Sequence, residues 1–386
     1  VERTPLMLVG DSPAEPTGLG RILRDLGWQI HASDLPVELV SVGGCVPPVW
    51  PHWPHYALDE RLQRGDDWGA SYVAALWRSH FGERPGIIWL IWDPGRLAYY
   101  RDLQVPAQIW SYPALDATNG AGSIGGAAGM ALRGVDRLIA YGRWASQKFR
   151  PMRSEPVPYL PHGLSLAAAG DVGDALATWA RQRLGPYVAR EDMVLGCVAT
   201  NQSRKDLGLF FQTLSELRTR GHKVYGWLHT DVLEKAWSVP QLIEDFGLAR
   251  RVMVSYAHLT DRQLAALYQQ CAATVAVGLG EGFGYPIVES LANGTPVLHG
   301  DCAGGRELVP KREWRFPVRE LRLEGTYGLE RPVFRASDVV NAFERVMAWR
   351  QAVGEAVAVD YCRGAVAHLD WESLWPRWRS WVRAGL

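Results

Sequence analysis

The sequence predicts an α/β protein made of two doubly wound, parallel-sheet domains in tandem. Three observations carry this reading. Short apolar runs bounded by Gly, Pro and Asp recur along the 386 residues, and segments with helical spacing separate many of them. The runs also fall into two series, divided by an Ala- and Gly-rich stretch at 164–190 that has no strand pattern. Strands alternating with helices imply a parallel sheet covered on both faces. A chain of this length is too long for one small domain and suffices for two that each bury a core.

The first series contains "LMLVGD" (6–11), "VELVSV" (37–42), "IIWLIW" (87–92), "AQIWSY" (107–112), "RLIAYG" (137–142) and "VPYLPHG" (157–163). The run "IIWLIW" is the longest apolar one; it fits a buried strand and falls far short of the ~20 residues a membrane span needs. The second series contains "MVLGCVAT" (193–200), "KVYGWLHT" (223–230), "RVMVSY" (251–256), "ATVAVG" (273–278) and "TPVLHG" (295–300), with helical segments such as 204–220 and 261–271 between them. Near the end, Trp371, Trp375, Trp378 and Trp381 approximate helical spacing and read as the packed face of a C-terminal helix. The expected layout is a first domain over 1–165, a second over 166–365, and a C-terminal helix over 366–386.

Composition narrows the function classes. Hydrophobic residues make up 47% and charged residues 21%, as in a soluble globular protein. Lys plus Arg equals Asp plus Glu at 41 each, so the molecule has no general attraction for nucleic acid or anionic membrane. Residues 306–335 are locally basic, with a net of about +3. The five cysteines (Cys45, Cys197, Cys271, Cys302, Cys362) are widely spaced without a C-x-x-C pair, which points to free buried thiols and away from zinc or a disulfide frame. The opening "VERTPLMLVGD" carries charge and enters a strand directly, so the expected location is cytoplasmic.

In doubly wound sheets ligands bind beyond the carboxyl ends of the strands, and two such domains facing each other would form a cleft. The loop "GLGEGFGYPIVESLANGTPV" (278–297) follows a strand with four glycines, Gly278, Gly280, Gly282 and Gly284, that allow close backbone approach. Pro286 suits the first turn of a helix, whose N-terminus is a site for ligand oxygens. Glu281 in the loop and Glu289 one turn into the helix could each accept hydrogen bonds from a pair of sugar hydroxyls, although acidic residues also favour helix N-termini for dipole reasons alone. In "ATNQSRKDLGLFF" (199–211), Arg204 and Lys205 sit together at a helix entrance, where two cations are poorly placed unless an anion lies between them. A diphosphate is one such anion; two exposed basic residues are the plain alternative.

Other loops add candidates. In "GDSPAEPTGLGR" (10–21), Gly18 and Gly20 could permit close approach to a phosphate, but the dinucleotide fingerprint fails because its sixth position is Leu23. In "SYPALDATNGAG" (111–122), Asp116 could orient or deprotonate an acceptor hydroxyl, or serve a turn. "HWPHYALDE" (52–60) offers His52, Trp53 and His55 to acceptor recognition or to packing, in preference to a metal. His162 in "LPHGLS" is a lone histidine beside proline, more often structural.

The order strand, "NQSRKD", strand, "EGFGYPIVESLANGTPV" resembles the donor half of the retaining glycosyltransferases with the GT-B fold, whose signature is a Glu, seven residues, and a second Glu. The resemblance spans roughly 193–310, and extends more loosely to "PTGLGRILRDL" (16–26) and "VPYLPHGLS" (157–165). It implies two Rossmann-like domains facing a central cleft, a C-terminal helix (366–386) that returns to the first domain, and transfer of a sugar from a nucleoside diphosphate without a metal or other cofactor, the base type (UDP, GDP or ADP) left open. It further implies Arg204 and Lys205 on the diphosphate, Glu289 on the ribose, and Glu281 with Gly282, Phe283 and Gly284 on the sugar. The segment "MVSYAH" (253–258), including Tyr256, would line the base pocket, and Asp116 stands where many members have a histidine. "PTGLGR", "YPALD" and "LERPVF" (329–334) are similar to phage-type members that modify hydroxymethylated DNA bases. That makes DNA one expected acceptor; a carbohydrate, lipid-linked or small-molecule acceptor is the alternative. A non-catalytic nucleotide-sugar binding protein would keep Arg204, Lys205 and Glu289 and be indifferent to Asp116 and Glu281.

Overall fold

The computed structural model describes residues 2–44, 50–58, 68–185, 188, 192–256, 258–325 and 328–386, with the side chains of 167 and 168 left aside. It divides into two compact units, Val1–Gly163 with Trp371–Leu386, and Leu164–Asp370.

The first unit holds six parallel strands: β1 (Thr4–Val9), β2 (Val37–Val42), β3 (His55–Tyr56), β4 (Gly86–Leu90), β5 (Ala107–Ser111) and β6 (Arg137–Leu138), in the order β3-β2-β1-β4-β5-β6. The inner strands are apolar on both faces because helices cover both, and in β1 every residue after Thr4 is buried. The helix Gly18–His31 turns Ile22, Leu23, Leu26 and Ile30 inward at helical spacing. The expected strand at 157–163 is reduced to one bridge, Ala140 to Tyr159, since Pro156, Pro158 and Pro161 have no N–H to donate to a ladder.

The C-terminal helix, Trp371–Arg383, belongs to this first unit. Trp371, Leu374, Trp378 and Val382 form its buried face. Trp378 is fully buried and donates from Nε1 to the Pro161 carbonyl at 3.0 Å, while Trp381 packs against Trp89 and Trp110 at ring-centroid distances of 5.4 and 5.2 Å. Arg137 lies over Trp110 and Trp381, at 4.7 and 4.1 Å from the ring centroids. On the surface, Asp34 accepts from Arg379 Nε at 2.7 Å and from Arg383 at 2.9 Å.

The second unit repeats the plan with β7 (Met193–Val198), β8 (Val224–His229), β9 (Val252–Ser255), β10 (Ala273–Ala276), β11 (Val297–Gly300) and β12 (Arg315–Phe316), in the order β12-β11-β10-β7-β8-β9. Counted within each unit, both sheets read third, second, first, fourth, fifth, sixth. The strand order reverses between β7 and β10, and ligands of such sheets bind at that switch point, outside the carboxyl ends of the strands. The basic stretch at 306–335 contains an antiparallel hairpin, β13 (Glu320–Glu324) and β14 (Leu329–Val333), separate from the parallel sheet. Among the described residues no helix is long and apolar enough to cross a membrane, and Cys197, Cys271, Cys302 and Cys362 are free thiols; Cys45 lies outside the described residues.

Candidate active site

The site grows from the two loops that leave β7 and β10 at the switch point. Their backbones are zipped together: Asp206 N–H donates to the Val277 carbonyl at 3.1 Å and Leu279 N–H to the Arg204 carbonyl at 2.8 Å, around a bridge between Lys205 and Gly278. Asp206 also caps the helix Leu207–Thr219, accepting from Leu209 N–H at 3.0 Å. This zip seats Lys205 Nζ on Glu281 Oε1, an ion pair whose side chains are only 10% and 12% exposed. Gly278 is required by space, since a Cβ there would overlap the Glu281 carboxylate.

Burial pushes the Glu281 carboxyl up, but Lys205 and Arg204 more than offset it and hold the group below the ordinary range. Behind it lies His299, fully buried in β11. His299 Nδ1 is 3.0 Å from the Ala276 carbonyl, which can only accept, so the proton sits on Nδ1. Nε2 then carries a lone pair and has no hydrogen-bond partner among the described residues. Burial lowers the pKa of this imidazole, which keeps it neutral. Cys302, beside Glu281, is pushed up to about 12 by burial and then by the neighbouring carboxylates, so it stays a thiol at neutral pH.

The glycine-rich loop packs backbone to backbone on the turn after β11. Gly305 N–H donates to the Glu281 carbonyl at 3.1 Å, and a Cβ on Gly304 would overlap the Gly282 carbonyl. Gly284 takes φ 102, left-handed, to start the helix Tyr285–Ala292 with Pro286 in its first turn. Phe283 is buried edge-on against Tyr285. Glu289 is half-buried on that helix and accepts from Tyr268 Oη at 3.0 Å. At the ends of β8 and β9, Trp227 Nε1 and His229 Nδ1 meet Ser255 Oγ at 3.1 and 2.9 Å. Tyr256, the next residue, is 59% exposed, and Ala257 lies outside the described residues. A cavity of about 460 Å³ borders Arg204, with Ser203, Lys235, Glu324 and Arg331 in its wall.

The second unit thus brings Arg204, Lys205, Glu281, Gly282, Phe283, Gly284, Tyr256 and Glu289 to the carboxyl ends of one sheet. The expected residues of the first unit divide. Asp116 is half-buried in the loop after β5. Gly18 is exposed at the start of its helix, whereas Gly20 packs on its own loop, where a Cβ would stand 2.6 Å from the Ser12 carbonyl oxygen. Thr17 caps that helix through Gly20 N–H at 2.9 Å and donates to Asp11 at 2.6 Å.

Trp53 and His55 are packing residues: Trp53 Nε1 donates to Ser41 Oγ at 2.9 Å, and His55 Nδ1 shares a hydrogen bond with the same hydroxyl at 2.8 Å. His52 is exposed and sits edge-on to Trp28 and Trp50. His162 is buried in an aromatic box with Tyr112 and Tyr141. Tyr112 Oη donates to the Leu160 carbonyl at 2.7 Å and stands 3.1 Å from His162 Nδ1. Burial holds the His162 imidazole far below its ordinary pKa, so it is a neutral core group. Among the described residues no cluster of His, Cys, Asp and Glu could hold a metal ion.

Sequence reasoning missed Tyr268 and His299, because each lies in an apolar run where it reads as core. His229 carried only its place at a strand end.

Residues 192–321 match the family model described as "Glycosyl transferases group 1". Over 109 residues the chain is 32% identical to the serotype-specific mannosyltransferase WbdA of Escherichia coli; the match covers 28% of this chain and 13% of that protein. Among solved structures it is similar to a sucrose-phosphate synthase from Thermosynechococcus elongatus, with TM-score 0.77, 17% identity and 99% of each chain covered. It is also similar to Anabaena HepE in complex with UDP and glucose, with TM-score 0.75, 15% identity, and 99% of this chain and 100% of that one covered. The chain has the GT-B fold, and the match to the group 1 glycosyltransferase model lies within its second unit.

Proposed function

We propose that this chain is a retaining glycosyltransferase that moves a sugar from a nucleoside diphosphate to an acceptor hydroxyl. The buried Lys205–Glu281 pair at the switch point of the second sheet carries the reading. A buried ion pair is weak evidence for stability alone, and a cation–carboxylate pair beside a glycine-rich loop fits a ligand that is anionic at one end and hydroxylated at the other. In this reading Arg204 and Lys205 take the diphosphate, Glu281 with Gly282 to Gly284 takes the sugar, Glu289 takes the ribose, and Tyr256 borders the base.

The reaction needs stabilisation of a departing diphosphate and an oxocarbenium-like sugar more than it needs a strong base. Arg204, Lys205 and the N-terminus of the helix after Gly284 supply it without a metal in this reading. Retention would follow from attack on the face that the diphosphate leaves.

For the acceptor, four of the eight basic residues at 306–335 stand in ion pairs. Arg315 pairs with Asp301, Arg319 with Asp338, Arg322 with Glu320 and Lys311 with Glu313. That favours a carbohydrate acceptor, as does the name of the mannosyltransferase relative, over the phosphate backbone of DNA. The test is incubation with UDP-, GDP- and ADP-sugars and with oligosaccharides or hydroxymethylated DNA, with and without EDTA, read by mass spectrometry. Transfer that survives EDTA is the expected result. If no donor is consumed while nucleotide is bound, the chain is a binding protein and the enzyme reading fails.

A further inference from the structure

Tyr268 is the last residue of the helix Asp261–Tyr268, and its ring is buried edge-on against Trp227 at 5.5 Å. Its hydroxyl donates to Glu289 Oε2 at 3.0 Å. Both partners are anchored through their backbones. Thr295 Oγ1 donates to the Tyr268 carbonyl at 2.8 Å and Asn293 Nδ2 to the Glu289 carbonyl at 2.9 Å. Thr274, Ser290 and the Thr295 carbonyl form a buried chain of 2.6 and 2.9 Å bonds under the same helix. Burial and then the Glu289 charge push the Tyr268 pKa well above its ordinary value, so the phenol stays a donor.

A glutamate carboxylate has a broad terminal torsion, and one held by a charge-assisted bond has not. A pair of vicinal hydroxyls is recognised only by an acceptor of defined direction. We infer that Tyr268 is a positioning residue: it sets the plane of the Glu289 carboxylate for the cis-diol of the donor ribose, so that preference for ribonucleotides over 2′-deoxyribonucleotides depends on the Tyr268 hydroxyl. The inference rests on the donor reading above and assigns Tyr268 no contact with the ligand.

The experiment measures Kd for UDP, GDP and ADP and their 2′-deoxy forms by calorimetry on the full chain. The proteins are wild type, Tyr268→Phe, Glu289→Gln and the double variant, each with its melting temperature. In the expected result Tyr268→Phe weakens the preferred ribonucleotide by roughly tenfold, the size of one hydrogen bond to a charged group. Its 2′-deoxy form changes by less than about twofold, because the bond being oriented is absent. The double variant then loses no more than Glu289→Gln alone. Equal weakening of both nucleotide forms, or none, overturns the inference and leaves Tyr268 a packing residue. Wild type that binds none of the nucleotides overturns the donor reading and this inference with it. Should Tyr268→Phe fold poorly, Glu289→Gln decides: an unchanged ribose preference in that variant overturns the inference.

Discussion

The two sheets share one strand order and differ in how the loops at their switch points use charge. In the first unit, the loop after β1 satisfies itself: Thr17 donates to Asp11 and caps its own helix, and Trp53, His55 and His162 are held by neighbouring hydroxyls. In the second unit, the loop after β10 buries Glu281 against Lys205 and leaves His299 behind it with a ring nitrogen that has no hydrogen-bond partner among the described residues. Topology therefore supplies the location and not the chemistry. What distinguishes the loops is desolvated charge, which a fold accumulates only when other bonds hold it in place.

Substitutions on either side should separate these regimes. The largest effect is expected for Glu281→Ala, which strands a buried Lys205. Breaking such a pair costs about 3–5 kcal/mol, and transfer should fall by more than about 100-fold in the same variant. Thermal unfolding and donor turnover check the two effects separately. The sign with pH follows from the depressed Glu281 pKa. The pair's contribution is complete above the ordinary value of 4.5 and is lost as pH falls through the lower folded value, so acid unfolding of wild type should lose this component in the variant.

Trp378→Ala should cost a similar amount, about 3–5 kcal/mol, by leaving a cavity under the C-terminal helix. Nucleotide affinity of the folded protein should stay unchanged, as measured by calorimetry below the melting temperature. A changed affinity would break the separation between the two regimes. Gly304→Ala should cost about 1–3 kcal/mol, because its Cβ meets the Gly282 backbone, which cannot rotate away. It should raise the KM for donor, measured in steady-state transfer. The smallest effect is expected for Asp34→Asn. Arg379 and Arg383 hold this exposed carboxyl well below its usual range, but solvent screens the pairs. A slight drop in Tm that disappears in about 1 M salt is the expected outcome.

Much of the fold was legible in the sequence because a strand buried on both faces must be apolar throughout. β2 falls on Val37–Val42 as its run predicts, and β7 and β8 lie within theirs. The two-residue strands β3 and β12 and the hairpin β13–β14 were not legible, and of the run expected at 137–142 only Arg137–Leu138 forms a strand, β6. A strand of two residues has no period to detect, and β13 is exposed along its length, so it carries no burial pattern. The loops after β7 and β10 were legible because glycine, proline and paired charges have few other reasons to cluster. Tyr268 and His299 were not, since a buried polar ring inside an apolar run looks the same whether it packs or orients.

By itself the sequence determined two doubly wound units, the loops that follow their strands, and the residue types those loops present, because periodicity and turn chemistry are local properties of the chain. Only the tertiary structure decided which charges meet. Lys205 and Glu281 are 76 residues apart and pair because a backbone zip joins the two loops. Tyr268 reaches Glu289 because two helices are pinned at a common turn, and His55 and His162 turn inward because hydroxyls await them there. Such meetings depend on register between elements distant in the chain, and no local pattern encodes it.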